Sequence, residues 1–152
     1  MGFDANPVET FDYYEPRTAD RFVIKPTKIG GFIYISTNYN NSFAIDLNPS
    51  FALYDESGRN SYGFSVGPRY RFNDKLSLNY NFNFLRQNNN KGYIDSMNYD
   101  MNVATPNTII FANRNVITYS NTLSGKYSLN SQMTFNISLH HYSSYAEDKN
   151  AL

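Results

Sequence analysis

Apolar side chains recur at every second residue along much of this chain, and that alternation constrains its fold more than any other feature. Between Phe43 and Tyr54 the odd positions are Phe43, Ile45, Leu47, Pro49, Phe51 and Leu53, and the even positions are Ala44, Asp46, Asn48, Ser50, Ala52 and Tyr54. A strand sends successive side chains to opposite faces, so this stretch has one continuous apolar face and one small or polar face. A helix would scatter both sets around its circumference. The pattern returns in Ser61–Phe72, where Tyr62, Phe64, Val66, Pro68, Tyr70 and Phe72 alternate with Ser, Gly and Arg. It returns again in Leu76–Phe84, where Leu76, Leu78, Tyr80, Phe82 and Phe84 alternate with Ser77 and three asparagines. Near the end, Met133, Phe135, Ile137 and Leu139 alternate with Thr134, Asn136, Ser138 and His140. Ile29–Tyr39 and Arg114–Leu129 carry the same signal less cleanly, which brings the count of expected strands to about six.

Turn residues separate these stretches: Asn40-Asn41, Asp55-Glu56-Ser57-Gly58-Arg59, Asn73-Asp74 and Asn130-Ser131. Asn, Asp, Ser and Gly suit turns because they tolerate positive φ or bond their own backbone. Long strands joined in this way predict an all-β fold, an antiparallel up-and-down meander. Two segments lack the alternation and read as long loops. Residues 1–28 hold Pro7, Pro16 and Pro26. Residues 87–113 open on Gln87-Asn88-Asn89-Asn90-Lys91-Gly92, with room for short strands near Tyr93–Ile94 and Thr108–Phe111. The expected organisation is therefore an outer loop at 1–28, a β-barrel segment at 29–145 and a tail at 146–152.

Strand length separates two settings for such a meander. Soluble strands run about five or six residues, whereas a transmembrane β-strand needs about 9–11. A lipid-facing stripe must be apolar while the opposite, lumen face is polar, and Tyr and Phe gather where strands cross the interfaces. The aromatic content of 17% fits that setting, and a low mean hydropathy of −0.55 does not oppose it, because only alternate residues meet lipid. The expected lipid-facing set is Phe43, Ile45, Leu47, Phe51 and Leu53, then Phe64, Val66 and Tyr70, then Leu78, Tyr80 and Phe82, and finally Phe135, Ile137 and Leu139. Turn lengths agree: three short connections share one end and the longer ones the other, as in outer-membrane barrels. Six strands fall short of the eight or so that close such a barrel, and open edges do not persist in lipid. The chain therefore reads as part of a transmembrane β-barrel whose remaining strands belong to a longer parent chain. The alternative is a soluble β-sandwich or small barrel, its apolar stripe turned inward, that binds a carbohydrate or another small ligand.

Several other classes are excluded. Thirteen basic and thirteen acidic residues leave no net charge, which argues against a nucleic-acid partner. There are no cysteines, hence no disulfides, thiolate metal sites or thiol nucleophiles. No run is long and apolar enough for a membrane helix, and the opening Met1-Gly2-Phe3-Asp4 lacks the basic and apolar regions of a signal peptide.

The order of several segments resembles a known family. Tyr14-Glu15-Pro16-Arg17-Thr18 leads to Arg21-Phe22, and Phe43-Ala44-Ile45-Asp46 follows. Then come Pro68-Arg69-Tyr70-Arg71-Phe72-Asn73-Asp74-Lys75-Leu76-Ser77-Leu78, Ile109-Ile110-Phe111-Ala112-Asn113-Arg114 and Leu139-His140-His141-Tyr142-Ser143-Ser144. Over residues 11–145 the chain is similar to the C-terminal barrel domain of unknown function that follows a family-9-type carbohydrate-binding module in proteins of Gram-negative bacteria. It departs where that family shows Gly and Trp, with Ala112 before Asn113-Arg114 and Ser144 after Tyr142-Ser143. The resemblance implies the outer membrane as location, its bilayer as partner, and anchoring or passage of a glycan-related solute as role. Members often carry a hydrolase label, which these residues do not support.

Candidate chemistry is sparse. Asp46, Arg69 and Arg71 fall on the polar face, and a hairpin at 55–60 would pair positions summing to about 115, setting Asp46 opposite Arg69. A lumen ion pair is the expected arrangement, since an unpaired charge there is costly, and a basic stripe favouring anions is the functional alternative. Asp12, Tyr13, Tyr14, Glu15 and Arg17 form a candidate ligand-contacting outer loop, because carboxylates beside aromatics suit a glycan. The adjacent His140 and His141 point to opposite strand faces and cannot chelate one ion. No nucleophile elbow, phosphate loop or zinc-protease motif occurs. A non-enzyme without metal or cofactor is expected, and the weaker third reading, a hydrolase, would have Asp12 and Glu15 as its best acids.

Overall fold

The computed structural model describes residues 1–97 and 108–151 and is all-β, with no helix among them. In chain order the strands are β1 (Gly2–Asn6), β2 (Thr10–Asp12), β3 (Val23–Lys25), β4 (Lys28–Phe32), β5 (Ile35–Ser36), β6 (Phe43–Tyr54), β7 (Asn60–Arg71), β8 (Leu76–Met97), β9 (Thr108–Ser128) and β10 (Thr134–Ala151). One antiparallel sheet runs β1-β4-β6-β7-β8-β9-β10, with β5 pairing the lower part of β6, and the β2–β3 hairpin forms a separate two-stranded sheet. From β4 onward this is the expected meander, in sequence order and open at both edges. The alternation generates it directly, because each strand that buries nothing in itself can satisfy its backbone only on its chain neighbours.

Cross-strand partners share a face, so the ladder itself sorts the side chains. Leu47, Val66 and Phe82 lie in one row, and Phe43, Tyr70, Leu78 and Ile137 in another. Every apolar residue of the expected stripe falls on this one face. Rings adjoin across three strands there: Phe64 lies 5.8 Å from Phe82 and 5.5 Å from Phe84, and Phe84 lies 5.4 Å from Tyr119. The opposite face carries Ser, Asn, Gly and Thr.

Nothing among the described residues covers the apolar face. Among the described residues of the main sheet, Ala44 and Ala112 are the only buried apolar side chains other than glycine positions, and Ala44 belongs to the polar face, opposite Arg69. Ile137 stays 64% exposed and Phe51 53%. The exposed surface is 10615 Å² for a 17.5 kDa chain, whereas a compact monomer of that mass exposes about 7,900 Å².

Three short turns lie at one end of the meander, and each is set by an asparagine side chain. Asn38 Oδ1 accepts the Asn40 N–H, Asn73 Oδ1 those of Lys75 and Leu76, and Asn130 Oδ1 those of Gln132 and Met133, all at 2.9 Å. These side chains mimic a backbone turn and close it without a longer loop. The excursion from Pro7 to Thr27 and the Asp55–Arg59 turn lie at the other end, where β8 also ends and β9 begins. The expected asymmetry is present only in part: the 37–42 connection has six residues and Asp55–Arg59 five, so among the described residues it rests on the Pro7–Thr27 excursion.

Three boundaries differ from expectation. The segment 87–113, read as a long loop, continues β8 to Met97 and starts β9 at Thr108, leaving 98–107 outside the described residues. Its Asn-rich stretch has no apolar periodicity to announce a strand, yet backbone pairing needs none. Register shifts at Gln87/Asn90 and Tyr93/Asp95 absorb the irregularity, and Asn89 takes the left-handed φ of 50° that asparagine tolerates. The expected tail at 146–152 is strand as far as Ala151, paired on β9. Within 1–28 only part is loop, because β1 joins the sheet beside β4, stapled by a 2.6 Å Lys28–Asp4 ion pair.

Two glycines of β7 make opposite predictions. A Cβ on Gly63 would lie 2.5 Å from the Phe84 carbonyl oxygen, whereas at Gly67 the nearest atom is 3.6 Å away. Gly63→Ala should lower stability by about 1–3 kcal/mol through this overpacking, and Gly67→Ala should be neutral or mildly stabilising. Thermal unfolding followed by β-sheet circular dichroism measures both.

Candidate functional site

The sheet is far from uniform in height. β7 ends at Asn60, paired with Asn88, so β8 beyond that point lacks a neighbour on its β7 side. β8 has 22 residues, roughly 70 Å at 3.3 Å per residue, so its upper part rises well beyond β6 and β7. An unpaired edge of backbone N–H and C=O groups is a liability unless something covers it. The β2–β3 hairpin lies against it. Glu15 accepts the Tyr93 backbone N–H through Oε1 at 3.2 Å, and the Arg17 guanidinium stacks 4.8 Å from the Tyr93 ring centre. Pro16, between them, is fully buried.

Local chemistry shapes the hairpin for this. Asp12 Oδ1 accepts the N–H groups of Tyr14 (2.9 Å) and Glu15 (3.2 Å), and its Oδ2 pairs with Lys25 Nζ at 2.5 Å across the β2–β3 ladder. The lysine hydrogen bond, followed by the two backbone donors, holds the Asp12 carboxyl below its ordinary value. Phe22 packs edge-on to Phe11, 4.8 Å between ring centres, and tilts toward Tyr13. Arg17 and Asp20 adopt positive φ in the connecting loop.

The Asp55–Arg59 turn supplies the third wall. Glu56 pairs with Arg59 at 2.7 Å and with Lys91 of β8 at 2.5 Å, and Arg59 Nη2 donates to Asn90 Oδ1 at 3.3 Å. The Arg59 guanidinium also lies 4.7 Å from the Tyr54 ring centre. Burial pushes the Glu56 carboxyl up, but the hydrogen bonds from Lys91 and Arg59 outweigh it, and the net position is below the ordinary value. Together the hairpin, this turn and the raised parts of β8 and β9 enclose a cavity of about 180 Å³.

The sequence-predicted site residues divide accordingly. Of the outer-loop set, Asp12 and Glu15 line the cavity, Arg17 docks beside it on Tyr93, Tyr13 packs on Phe22 and Tyr14 is 91% exposed. The expected Asp46–Arg69 ion pair does not form. The turn closes one residue earlier than expected and β7 begins at Asn60, which sets Asp46 opposite Gly67 and Arg69 opposite Ala44. Asp46 instead accepts a hydrogen bond from the Tyr39 hydroxyl, Arg69 stacks 5.5 Å from the Tyr39 ring centre, and Arg71 donates to the Asn40 carbonyl at 2.9 Å. All three therefore hold the 37–42 turn. His140 and His141 occupy opposite faces, against Thr122 (2.9 Å) and Asn121 (3.3 Å). Reading 87–113 as loop hid Lys91, Arg114 stood at the start of an expected strand with nothing local to mark it, and the i,i+3 spacing of Glu56 and Arg59 was the one local signal of the cluster.

These features define an open, single-layer antiparallel β-sheet with a charged clamp at its long-loop end. The chain belongs to the family described as "Domain of unknown function (DUF5916)", whose model matches residues 1–152. No curated protein and no solved structure matches it.

The clamp is sensitive to acid. Carboxyls held below their ordinary values contribute stability that is present above the unfolded-state value and lost as pH falls through the lower folded one. For Glu56 and Asp12, with ordinary values of 4.5 and 3.8, loosening should set in only below those values. Amide exchange at Tyr93 should then rise relative to the mid-sheet amides of Phe82 and Val66. Glu15→Ala, which frees the Tyr93 N–H, should raise it several-fold already at neutral pH.

Proposed function

We propose that this chain is a segment of a bacterial outer-membrane β-barrel, a non-catalytic membrane anchor or passage for a glycan-related solute. One observation carries the reading: a single-layer sheet has one continuous apolar face that no part of the described chain covers. Apolar patches far beyond a few hundred Å² call for a membrane or protein partner. Its dimensions favour lipid. On β6 the apolar run spans Phe43 to Leu53, and on β8 it spans Leu76 to Phe84 before Arg86 ends it, matching the 9–11 residues a tilted strand needs. Above that height β8 turns polar on both faces from Arg86 to Lys91, as a protruding rim requires. Connections of four to six residues at one end and the long Pro7–Thr27 excursion at the other fit the outer-membrane pattern.

On this reading β1 and β10 pair with further strands of a longer chain, since free edges are excluded from lipid. The bilayer is the partner of the Phe/Leu face, and the Asn/Ser/Gly face lines the lumen. The similarity to barrels that follow a family-9-type carbohydrate-binding module supports a glycan as solute. A soluble sandwich binding a carbohydrate would need a second layer over the same face.

The test is fractionation of source cells with an antibody to this chain, with the membrane fraction run on gels before and after boiling. An outer-membrane band that shifts on boiling supports the reading, and a soluble band overturns it. Phe51→Asp or Phe82→Asp should each block insertion, through a charge placed on the lipid face together with the lost burial of a ring, whereas Asn81→Asp on the polar face should insert normally. Equal tolerance of both kinds of change would reverse the assignment of faces.

A further inference from the structure

The cavity at the long-loop end carries more positive charge than its own carboxylates use. Four cations line it: Lys25 from β3, Arg59 from the turn, Lys91 from β8 and Arg114 from β9. Asp12 and Glu15 also line it. Asp12 is engaged by Lys25, and Glu15 gives an oxygen to the Tyr93 N–H. Glu56 answers Arg59 and Lys91 together. Among the described residues no carboxylate lies in ion-pair range of Arg114, and its Nε is buried without a hydrogen-bond partner. Its guanidinium rests over Gly92, directly opposite Ala112, where any side chain would displace it.

A half-buried planar guanidinium with an unpartnered Nε beside further cations is a receptor for an oxyanion, which it grips with two parallel N–H bonds. The volume of about 180 Å³ corresponds to several water molecules at ~30 Å³ each, enough for a carboxylate or phosphate group with part of its carbon frame. Val23, Ile24 and Phe111 form an apolar wall for that frame, and Asn90 offers a polar side chain.

We infer that this cavity binds a small oxyanion-bearing solute, with Arg114 as its principal anchor and Lys91 and Arg59 completing the cationic field. Its height favours a solute over a lipid headgroup. Asn90 lies four residues above Arg86, where the apolar belt ends, roughly 13 Å at 3.3 Å per residue. The site is independent of the membrane reading, because its charged groups come from the hairpin, the Asp55–Arg59 turn and the parts of β8 and β9 beyond the apolar run.

Calorimetry on the complete protein tests it, with glucuronate and glucose 6-phosphate as probes and glucose as the neutral control. The acidic sugars should bind at least tenfold more tightly than glucose, and raised salt should weaken them. Arg114→Gln should cost tenfold or more. Gly92→Ala removes no charge but displaces the guanidinium, so it should cost a comparable factor. Asn90→Asp keeps the oxygen that Arg59 needs and adds a negative charge, so it should abolish binding with the thermal midpoint retained. These last two variants carry the test if Arg114→Gln fails to fold. Equal affinity for glucose and the acids, or full affinity in Gly92→Ala and Asn90→Asp, overturns the site. Signal from phosphatidylglycerol-doped micelles alone overturns its assignment to a solute. Because the measurement reads the cavity equally in detergent or plain buffer, its failure would leave the barrel reading standing.

Discussion

The absence, among the described residues, of a second layer over the apolar face governs everything else in this fold. A sheet whose alternate residues are Phe, Leu, Ile, Tyr and Val gains most of its folding energy by removing them from water. Among the described residues that removal is incomplete, since the rings of Phe64, Phe82, Phe84 and Tyr119 cover one another only in part. The backbone ladder fixes the shape, but the stability of that shape depends on what meets the face from outside. The polar face has no such demand. Its small residues let neighbouring backbones approach closely, as at Gly63 beneath the Phe84 carbonyl.

The two ends of the sheet solve different problems. At the short-turn end, asparagine side chains replace backbone partners, and Asp46, Arg69 and Arg71 gather around Tyr39 and Asn40 to fix the one connection that is not a tight turn. At the long-turn end, β8 and β9 outgrow their neighbours and leave a backbone edge exposed. The hairpin carrying Glu15, Pro16 and Arg17 covers that edge, and a charged cavity results from how it does so. A structural need for edge protection thus brings together Lys25, Arg59, Lys91 and Arg114, which are scattered through the sequence.

Legibility in the sequence followed the apolar signal closely. Where alternate residues are apolar, as in Phe43–Tyr54, the strand, its face and nearly its ends could be read directly. Where they are not, as in Gln87-Asn88-Asn89-Asn90, nothing local distinguishes a strand from a loop, and only the pairing with Asn113–Val116 makes it one. The Asp46–Arg69 pairing failed for a related reason. A register shift of two residues leaves every side chain on its face, so the alternation cannot detect it, yet it separates a specific pair. Asp12 and Glu15 were recognisable as a polar group beside aromatics, but their cationic partners were not, because those come from other elements.

The sequence by itself therefore determined the all-β class, the order of the meander, the two faces and the end that bears the long connections. Period two is a local property that survives any small slip in register. The tertiary structure alone decided which residues meet across strands, how far β8, β9 and β10 extend, and the existence of the clamp. Those depend on backbone pairing between segments far apart in the chain, and hydrogen bonds to the main chain leave no mark on the identity of the side chains that flank them.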